Sequence, residues 1–307
     1  MLERCVELLA PALEREGAVV VDATLGMGGH TEAMLSRFPG LTVVGLDRDT
    51  EALELAGARL AQFGERFQPV HSVYDEIDRA LARVGVNKID GALFDLGVSS
   101  LQLDDAERGF AYAQDAPLDM RMDQTAGRTA AEILAEEPEG RLRELFERYG
   151  DEPLAGRYAR AIIAARNEAP IIRSSQLVDI LQEATPAAVL GKRHPAKRVF
   201  QALRIEVNGE LATLERAIPA AIDRLNVGGR IVVMSYQSLE DRIVKRILQT
   251  RSQSTAPQGL PVELPEHRPE LRLIVRGAEQ ASESERAANP RAIPARLRAA
   301  ERMRETQ

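Results

Sequence analysis

A strand-and-helix rhythm that starts, stops and resumes constrains this fold more than any other feature of the sequence. Ala18-Val19-Val20-Val21-Asp22 is a buried strand by its β-branched content. Thr42-Val43-Val44-Gly45-Leu46-Asp47 is a second, residues 67–71 are a weaker third, and Asp90-Gly91-Ala92-Leu93-Phe94-Asp95 is a fourth. Between them, residues 31–38, 50–63 and 75–84 carry apolar side chains at spacings of three and four. Alternation at this interval reads as βαβ units in a parallel sheet. From about Leu103 to Ile205 there is no strand pattern. Helical patterns occupy residues 129–135, 140–149, 153–166 and 174–183, punctuated by Pro117, Pro138, Pro170, Pro186 and Pro195. Residues 197–225 read as one helical stretch with a break near Asn208-Gly209. Residues 228–235 are again a buried strand, 239–248 a helix with a basic face, and 271–275 a candidate last strand. The tail from Glu279, rich in Ala, Arg, Glu and Ser, is expected to be partly disordered. The economical organisation is one α/β domain interrupted by a helical insertion: residues 1–104, then 105–205 as the insert, then 206–307.

Composition removes several alternatives. With 307 residues, 44% hydrophobic and 28% charged, the chain has an ordinary globular mix and needs no disulfide or metal staple. Cys5 is the only cysteine, which excludes an internal disulfide and points to a reducing, cytoplasmic setting. Four scattered histidines (His30, His71, His194, His267) give no zinc-ligand pattern, and no metal is expected. No apolar run reaches the roughly 18 residues that span a bilayer. Acidic Glu3 and Glu7 stand where a signal peptide has its cationic region. The formal net charge of −7 argues mildly against a nucleic-acid partner. The charge is segregated, however. Residues 104–152 carry 14 acidic and 6 basic side chains, whereas 157–204 carry 9 basic and 3 acidic. Lys192, Arg193, Lys197, Arg198 and Arg204 fall in a stretch without a carboxylate, as either a solvated helix face or a set of phosphate contacts.

Asp22-Ala23-Thr24-Leu25-Gly26-Met27-Gly28-Gly29-His30 follows the first strand and opens a helix. Glycines let backbone approach a ligand, and a helix start offers free N–H groups. Asp47 ends the second strand 21 residues after Gly26, where a carboxylate meets the ribose hydroxyls of an adenosine group. The dinucleotide fingerprint needs a small residue at position 31, which is Thr31, and acidic Asp22 disfavours a pyrophosphate. A cationic adenosine cofactor, S-adenosylmethionine, suits the loop better than a nicotinamide dinucleotide. Asp95 ends the fourth strand, and ligands in open α/β sheets bind at the carboxyl ends of strands. Three acids, Asp22, Asp47 and Asp95, are therefore expected on one rim.

The loop Gly26-Met27-Gly28-Gly29-His30 resembles that of the RsmH (MraW) family. So do Asp95-Leu96-Gly97-Val98-Ser99-Ser100-Leu101-Gln102-Leu103-Asp104-Asp105, Glu107-Arg108-Gly109-Phe110 and Pro117-Leu118-Asp119-Met120-Arg121-Met122-Asp123. The likeness continues through His194-Pro195-Ala196, Phe200-Gln201-Ala202-Leu203-Arg204-Ile205, Val207-Asn208 and Ser238-Leu239-Glu240-Asp241-Arg242-Ile243-Val244-Lys245 to Asn289-Pro290-Arg291 and Leu297-Arg298. This family consists of bacterial methyltransferases of the N4 atom of a cytosine in 16S rRNA. The resemblance implies a class I, Rossmann-like methyltransferase fold with a helical insertion domain after strand four. It implies S-adenosylmethionine as cofactor and 16S rRNA in the small ribosomal subunit as partner. By motif position it implies cofactor contacts at Gly28, Gly29, His30, Asp47, Tyr74, Asp95 and Gln102, with Tyr74 where the family often has Phe.

Two departures accompany the likeness. The family's leading His-x-Pro-Val segment has no counterpart ahead of Met1-Leu2-Glu3-Arg4-Cys5. The family pattern Ser-Phe-His-Ser-Leu-Glu-Asp-Arg stands here as Ser235-Tyr236-Gln237-Ser238-Leu239-Glu240-Asp241-Arg242, and Gln237 cannot act as a base.

Asp95, or a backbone carbonyl of residues 96–99, is the expected acceptor of an N4–H. Methylation at cytosine C5 requires a thiolate, and Cys5 precedes every cleft motif. Lys192, Arg193, Lys197, Arg198 and Arg204, with the tail residues Arg291, Arg296 and Arg298, are the expected phosphate contacts. Alternatives are a methyltransferase acting on another RNA, on a protein or on a small molecule with the insert as a lid, a nicotinamide-dependent dehydrogenase, and a non-catalytic binding module. The oligomeric state, a homodimer included, is open.

Overall fold

Neighbouring side chains of a strand point to opposite faces, so Val19-Val20-Val21 is stable only where both faces are covered. The computed structural model describes residues 1–189, 191, 194–257 and 264–305. The chain divides into two compact units, residues 1–97 with 211–307 and residues 98–210.

The first unit is built on seven strands: β1 (Val19–Asp22), β2 (Thr42–Asp47), β3 (Phe67–His71), β4 (Ile89–Asp95), β5 (Leu225–Ser235), β6 (Leu271–Leu273) and β7 (Arg296–Arg302). Their order is β3-β2-β1-β4-β5-β7-β6. β1 to β5 are mutually parallel, and β7 runs antiparallel to β5 and β6. Helix α1 (Leu2–Leu13) precedes β1, and α2 (Gly29–Arg37), α3 (Thr50–Leu60) and α4 (Ile77–Arg83) make the first three crossovers. The second unit contains α5 (Ser100–Asp104), α6 (Ala130–Glu136), α7 (Glu139–Gly150), α8 (Ala155–Glu168), α9 (Ser174–Ala184) and α10 (Ala196–Asn208). Helices α11 (Glu210–Arg224) and α12 (Ser238–Arg251) flank β5.

Alternation along the strands splits the sheet unit into two cores. Val21, Val44, Ala92, Phe94, Ile231 and Val233 pack with Ile77, Leu81, Ile218, Ile222 and Val244. Val20, Val43, Leu93, Val232 and Met234 pack on the other face with Leu9, Leu13, Leu35 and Leu60. A doubly wound parallel sheet with an antiparallel β7 inserted beside β5 is the Rossmann-like class I methyltransferase fold. In the second unit, α7 packs on α8 and α10 around Leu142, Leu145, Phe146, Tyr158, Ile162 and Leu203. Asn208 closes α10 and ties back to an earlier segment: its Nδ2 donates to Met120 O at 2.8 Å, and its Oδ1 accepts from Met122 N at 2.8 Å. Gly209 then takes a left-handed φ of 59° and breaks the long helical stretch where the sequence suggested. The second unit begins at Val98 and ends at Glu210, whereas the sequence pattern put the insert at 105–205.

One expectation is overturned. The tail is not disordered at Arg296–Arg302: it forms β7, in the interior of the sheet, with Leu297, Ala299 and Ala300 buried. Arginines between these small residues masked the strand, and two of them find partners locally. Arg298 pairs with Asp241 at 2.7 and 3.0 Å, and fully buried Arg302 donates to Ile222 O. The candidate last strand is shorter than read, at Leu271–Leu273, and it pairs with β7. Among the described residues, no helix is long and apolar enough to cross a membrane, and no acidic, His or Cys group is placed to hold a metal.

Asp90 secures the amino end of the sheet. Buried at 3% exposure, it accepts from Val19 N at 2.9 Å and from Asn226 Nδ2 at 2.8 Å, joining β1, β4 and β5. Asp90→Ala leaves both donors unsatisfied and is expected to lower unfolding free energy by roughly 2–4 kcal/mol. Urea unfolding measures this loss, and a change within ~0.5 kcal/mol contradicts the assigned role.

Candidate active site

The parallel strands β1, β2 and β4 end in Asp22, Asp47 and Asp95, so one edge of the sheet collects three carboxylates. None pairs with Lys or Arg among the described residues. Backbone and hydroxyl donors hold them instead. Asp22, 1% exposed, accepts from Thr31 Oγ1 at 2.8 Å and from Thr24 N at 3.3 Å. Asp47 accepts from Gly26 N at 2.8 Å and from Asp49 N at 2.9 Å. These bonds fix the glycine loop from both sides. Gly28 takes a left-handed φ of 79°, and a Cβ there would lie 2.9 Å from Leu60 Cδ1. Gly29, by contrast, faces open space.

Asp95 is set by two neighbours that the sequence reading did not single out for it. Its N–H donates to Thr24 Oγ1 at 2.7 Å, and Tyr236 Oη donates to its Oδ1 at 2.9 Å. The other oxygen, Oδ2, lies 3.8 Å from His30 Nδ1, beyond hydrogen-bond reach. Tyr236 follows Ser235, the last residue of β5, and so belongs to the same edge as the acids. Ser235 Oγ and His30 Nε2 are both buried without a hydrogen-bond partner among the described residues. Tyr74, in the 3₁₀ turn after β3, meets Phe94 edge-on at 5.8 Å between ring centroids.

Burial dominates the electrostatics of the rim. It raises the Asp22 carboxyl above its usual range, against the opposing effects of His30 and the Thr31 bond. It pushes Asp47 up to about 6. It also raises Asp95, whose shift is restrained by the charge of His30 and by the Tyr236 hydrogen bond. The Tyr236 hydroxyl is raised by burial and by the Asp95 charge, so it stays protonated and donates. Cys5, buried in α1, has its thiol raised by burial and by Asp95. It is therefore within electrostatic reach of the rim despite its early position, but it is no thiolate nucleophile.

The sequence profile of the MraW methylase family matches residues 1–303. The chain belongs to the MraW methylase family. It is 67% identical over 307 residues to the "Ribosomal RNA small subunit methyltransferase H" of Leifsonia xyli subsp. xyli, covering 100% of this chain and 94% of that protein. It is 61% identical over 307 residues to the protein of the same name from Kocuria rhizophila, covering 100% and 94%. Among solved structures, an rRNA methylase from Streptococcus thermophilus aligns over 98% of this chain and 95% of its own at 15% identity, with a TM-score of 0.44. Membership makes the chain a methyltransferase, and the family match takes in the glycine loop, all three rim carboxylates and Tyr236.

Gly28, Gly29, His30, Asp47, Tyr74 and Asp95 all belong to the sheet unit. Gln102 belongs to the helical unit, where it caps α5: its Oε1 accepts from Ser99 N at 3.1 Å, and its N–H donates to Ser99 Oγ at 3.2 Å. Gln237 stands before α12, and its N–H donates to Glu240 Oε2 at 3.1 Å.

Of the expected phosphate contacts, Arg204 and Arg298 are committed to carboxylates. Lys192 and Arg193 lie outside the described residues. Lys197 is exposed on the first turn of α10. Arg198 donates to Asp151 O. Arg204 is spent on Glu210, which it grips through Nε at 2.8 Å and Nη2 at 2.9 Å, with both side chains largely buried. Arg298 is likewise committed to Asp241. A cation held bidentately by a carboxylate offers little to a phosphate.

The half-buried Asp47, raised by desolvation, predicts a pH signature of stability. Its folded-state carboxyl holds a proton up to about pH 6, whereas the unfolded one releases it near pH ~4. Its stabilising contribution is therefore full below pH ~4 and is lost as pH rises toward ~6. Asp47→Asn removes this titration. The stability of the parent minus that of the variant, from urea unfolding, is expected to fall between pH ~4 and ~6 and to level above. A difference that stays constant across that interval contradicts the assignment.

Proposed function

We propose that this chain methylates the exocyclic N4 amine of a cytosine in the 16S rRNA of the small ribosomal subunit, with S-adenosylmethionine as donor. The observation that carries the reading is Asp95: a carboxylate at the sheet's carboxyl edge, beside the glycine loop, with one oxygen held and the other left to accept. The names of the similar proteins from Leifsonia xyli and Kocuria rhizophila support the rRNA substrate. An assembled or assembling small subunit, in the cytoplasm, is the setting this substrate implies.

The residues present fit the donor molecule. Asp47 offers a carboxylate for ribose hydroxyls, the Gly28-Gly29-His30 backbone opens on the same edge, and Tyr74 supplies a ring for adenine. Asp22, Asp47 and Asp95, without a Lys or Arg partner among the described residues, suit a ligand carrying sulfonium and ammonium charge. Bound, S-adenosylmethionine supplies an electrophilic methyl carbon.

The protein's part is to make a poor nucleophile reactive. The N4 lone pair of cytosine is delocalised into the ring. Asp95 Oδ2 accepts an N4–H, which returns electron density to nitrogen as charge develops, and then takes the proton. Tyr236 occupies Oδ1 and keeps the carboxylate from rotating. Burial, which raises the Asp95 carboxyl, makes it a better proton acceptor than an exposed aspartate. The target base has to leave its stack to reach such an edge, and holding the two reactants in line supplies part of the rate.

Asp95→Ala is expected to lower kcat by about 10²–10³. The decisive assay is radiolabelled methyl transfer to small subunits from a strain lacking the modification, followed by nucleoside analysis. Label on any position other than cytosine N4 overturns the reading.

Tyr236→Phe gives a second test. The hydroxyl holds the Asp95 carboxyl down, so its loss raises that group further. The acid limb of the kcat–pH profile is expected to move to higher pH in Tyr236→Phe, because Asp95 works only when ionised. An unmoved limb removes Tyr236 from the mechanism.

A further inference from the structure

We propose that a groove in the sheet unit, running from Tyr236 along α12 to the start of β7, seats the sugar-phosphate backbone of RNA next to the target nucleotide. This rests on the rRNA reading above and adds to it a specific surface.

The groove holds ≈ 430 Å³, and its lining includes Tyr236, Gln237, Asp241, Arg242, Lys245 and Arg296. That volume is within the range of about 300–1,000 Å³ typical of sites for small ligands and nucleotides. Arg242 and Lys245 stand three residues apart, hence on one face of α12, and both are exposed. Arg296 opens β7 and is half-buried. Among the described residues, none of these three cations forms an ion pair.

This sets them apart from their neighbours. Arg246 pairs with Glu215, Arg251 with Asp223 and Glu270, and Arg298 with Asp241. The carboxylate in the lining, Asp241, is thus neutralised from behind by Arg298 at 2.7 and 3.0 Å. The wall carries three uncompensated positive charges.

The inner end identifies the occupant. Tyr236 lines the groove and also bonds Asp95, so whatever lies in it is continuous with whatever reaches Asp95. A polyanion with a base at one end and phosphates along its length matches both. The cations first expected in that role, Arg204 and Arg298, are consumed by Glu210 and Asp241. Of the tail arginines expected there, Arg296 forms no ion pair among the described residues and lines the groove.

The test is direct binding, read separately from catalysis. Undermethylated small subunits are titrated with the full-length parent, with Arg242→Glu/Lys245→Glu and with Arg246→Glu, across ~50 to ~200 mM KCl. The double variant is expected to bind at least about tenfold more weakly and to show a salt slope shallower by roughly 1–2, one unit per lost phosphate contact. Arg246→Glu, whose side chain turns to Glu215, is expected to bind as the parent does. S-adenosylmethionine affinity, by calorimetry, is expected to be equal in all three.

If the reversal destabilises the chain, Arg242→Ala/Lys245→Ala is read in the same way. Unchanged affinity and slope in the double variant overturn the proposal. So does an equal loss in Arg246→Glu, or an acidic peptide that competes as well as RNA. A parent that binds subunits but transfers no methyl group overturns the reaction assigned under Proposed function and leaves the groove judged on binding alone.

Discussion

Three carboxylates gathered at one edge of a sheet, Asp22 buried and Asp47 and Asp95 half-buried, with no Lys or Arg partner among the described residues, are the constraint on which the rest of the site depends. An unpaired buried anion is costly unless donors surround it. Here the donors come from the loop that the function needs. Asp47 takes the Gly26 N–H and Asp22 takes the Thr31 hydroxyl, so satisfying the acids also shapes the glycine turn and starts α2. Thr24, in the same loop, accepts the Asp95 N–H and sets the height of β4's last residue. Loop and acceptor are thereby built by one set of hydrogen bonds, which is the preorganisation that electrostatic catalysis requires.

The parts legible in the sequence were those where local pattern and tertiary role coincide. Val19–Asp22 and Thr42–Asp47 announce themselves by β-branched content, and Asp22, Asp47 and Asp95 by their place at the ends of such runs. β7 was illegible because it has only one large apolar residue, Leu297, among alanines and arginines whose charges find Asp241 or a buried carbonyl. Tyr236 was quoted only as a departure from a motif. Its bond to Asp95 spans 141 residues of chain, and no local pattern reports such a contact.

Charge was the most deceptive signal. The acidic and basic halves of the helical stretch look segregated along the chain, yet folding interleaves them. Arg173 meets Asp115, and Arg160 meets Glu139. Packing α7 against α8 and α10 brings the two halves side by side, so a linear run of cations need not become a positive surface. On the sheet unit, Arg242 and Lys245, on the helix whose basic face the sequence did show, form no ion pair among the described residues although acids stand beside them in sequence.

β4 and β5 are neighbours in the sheet although about 130 residues separate them. On the ribosome this imposes a wait. At roughly 5–20 residues per second, a nascent chain that has completed β4 spends about 6–26 s making the helical unit before β5 emerges. During that time the apolar β4 has a sheet partner on one side only, and an open strand edge recruits other chains. The helical unit, with its own core, has the means to fold in the interval and to shorten the effective loop that β5 must close. Vectorial synthesis therefore leaves the early half of this enzyme with an open strand edge for as long as the inserted helices take to emerge.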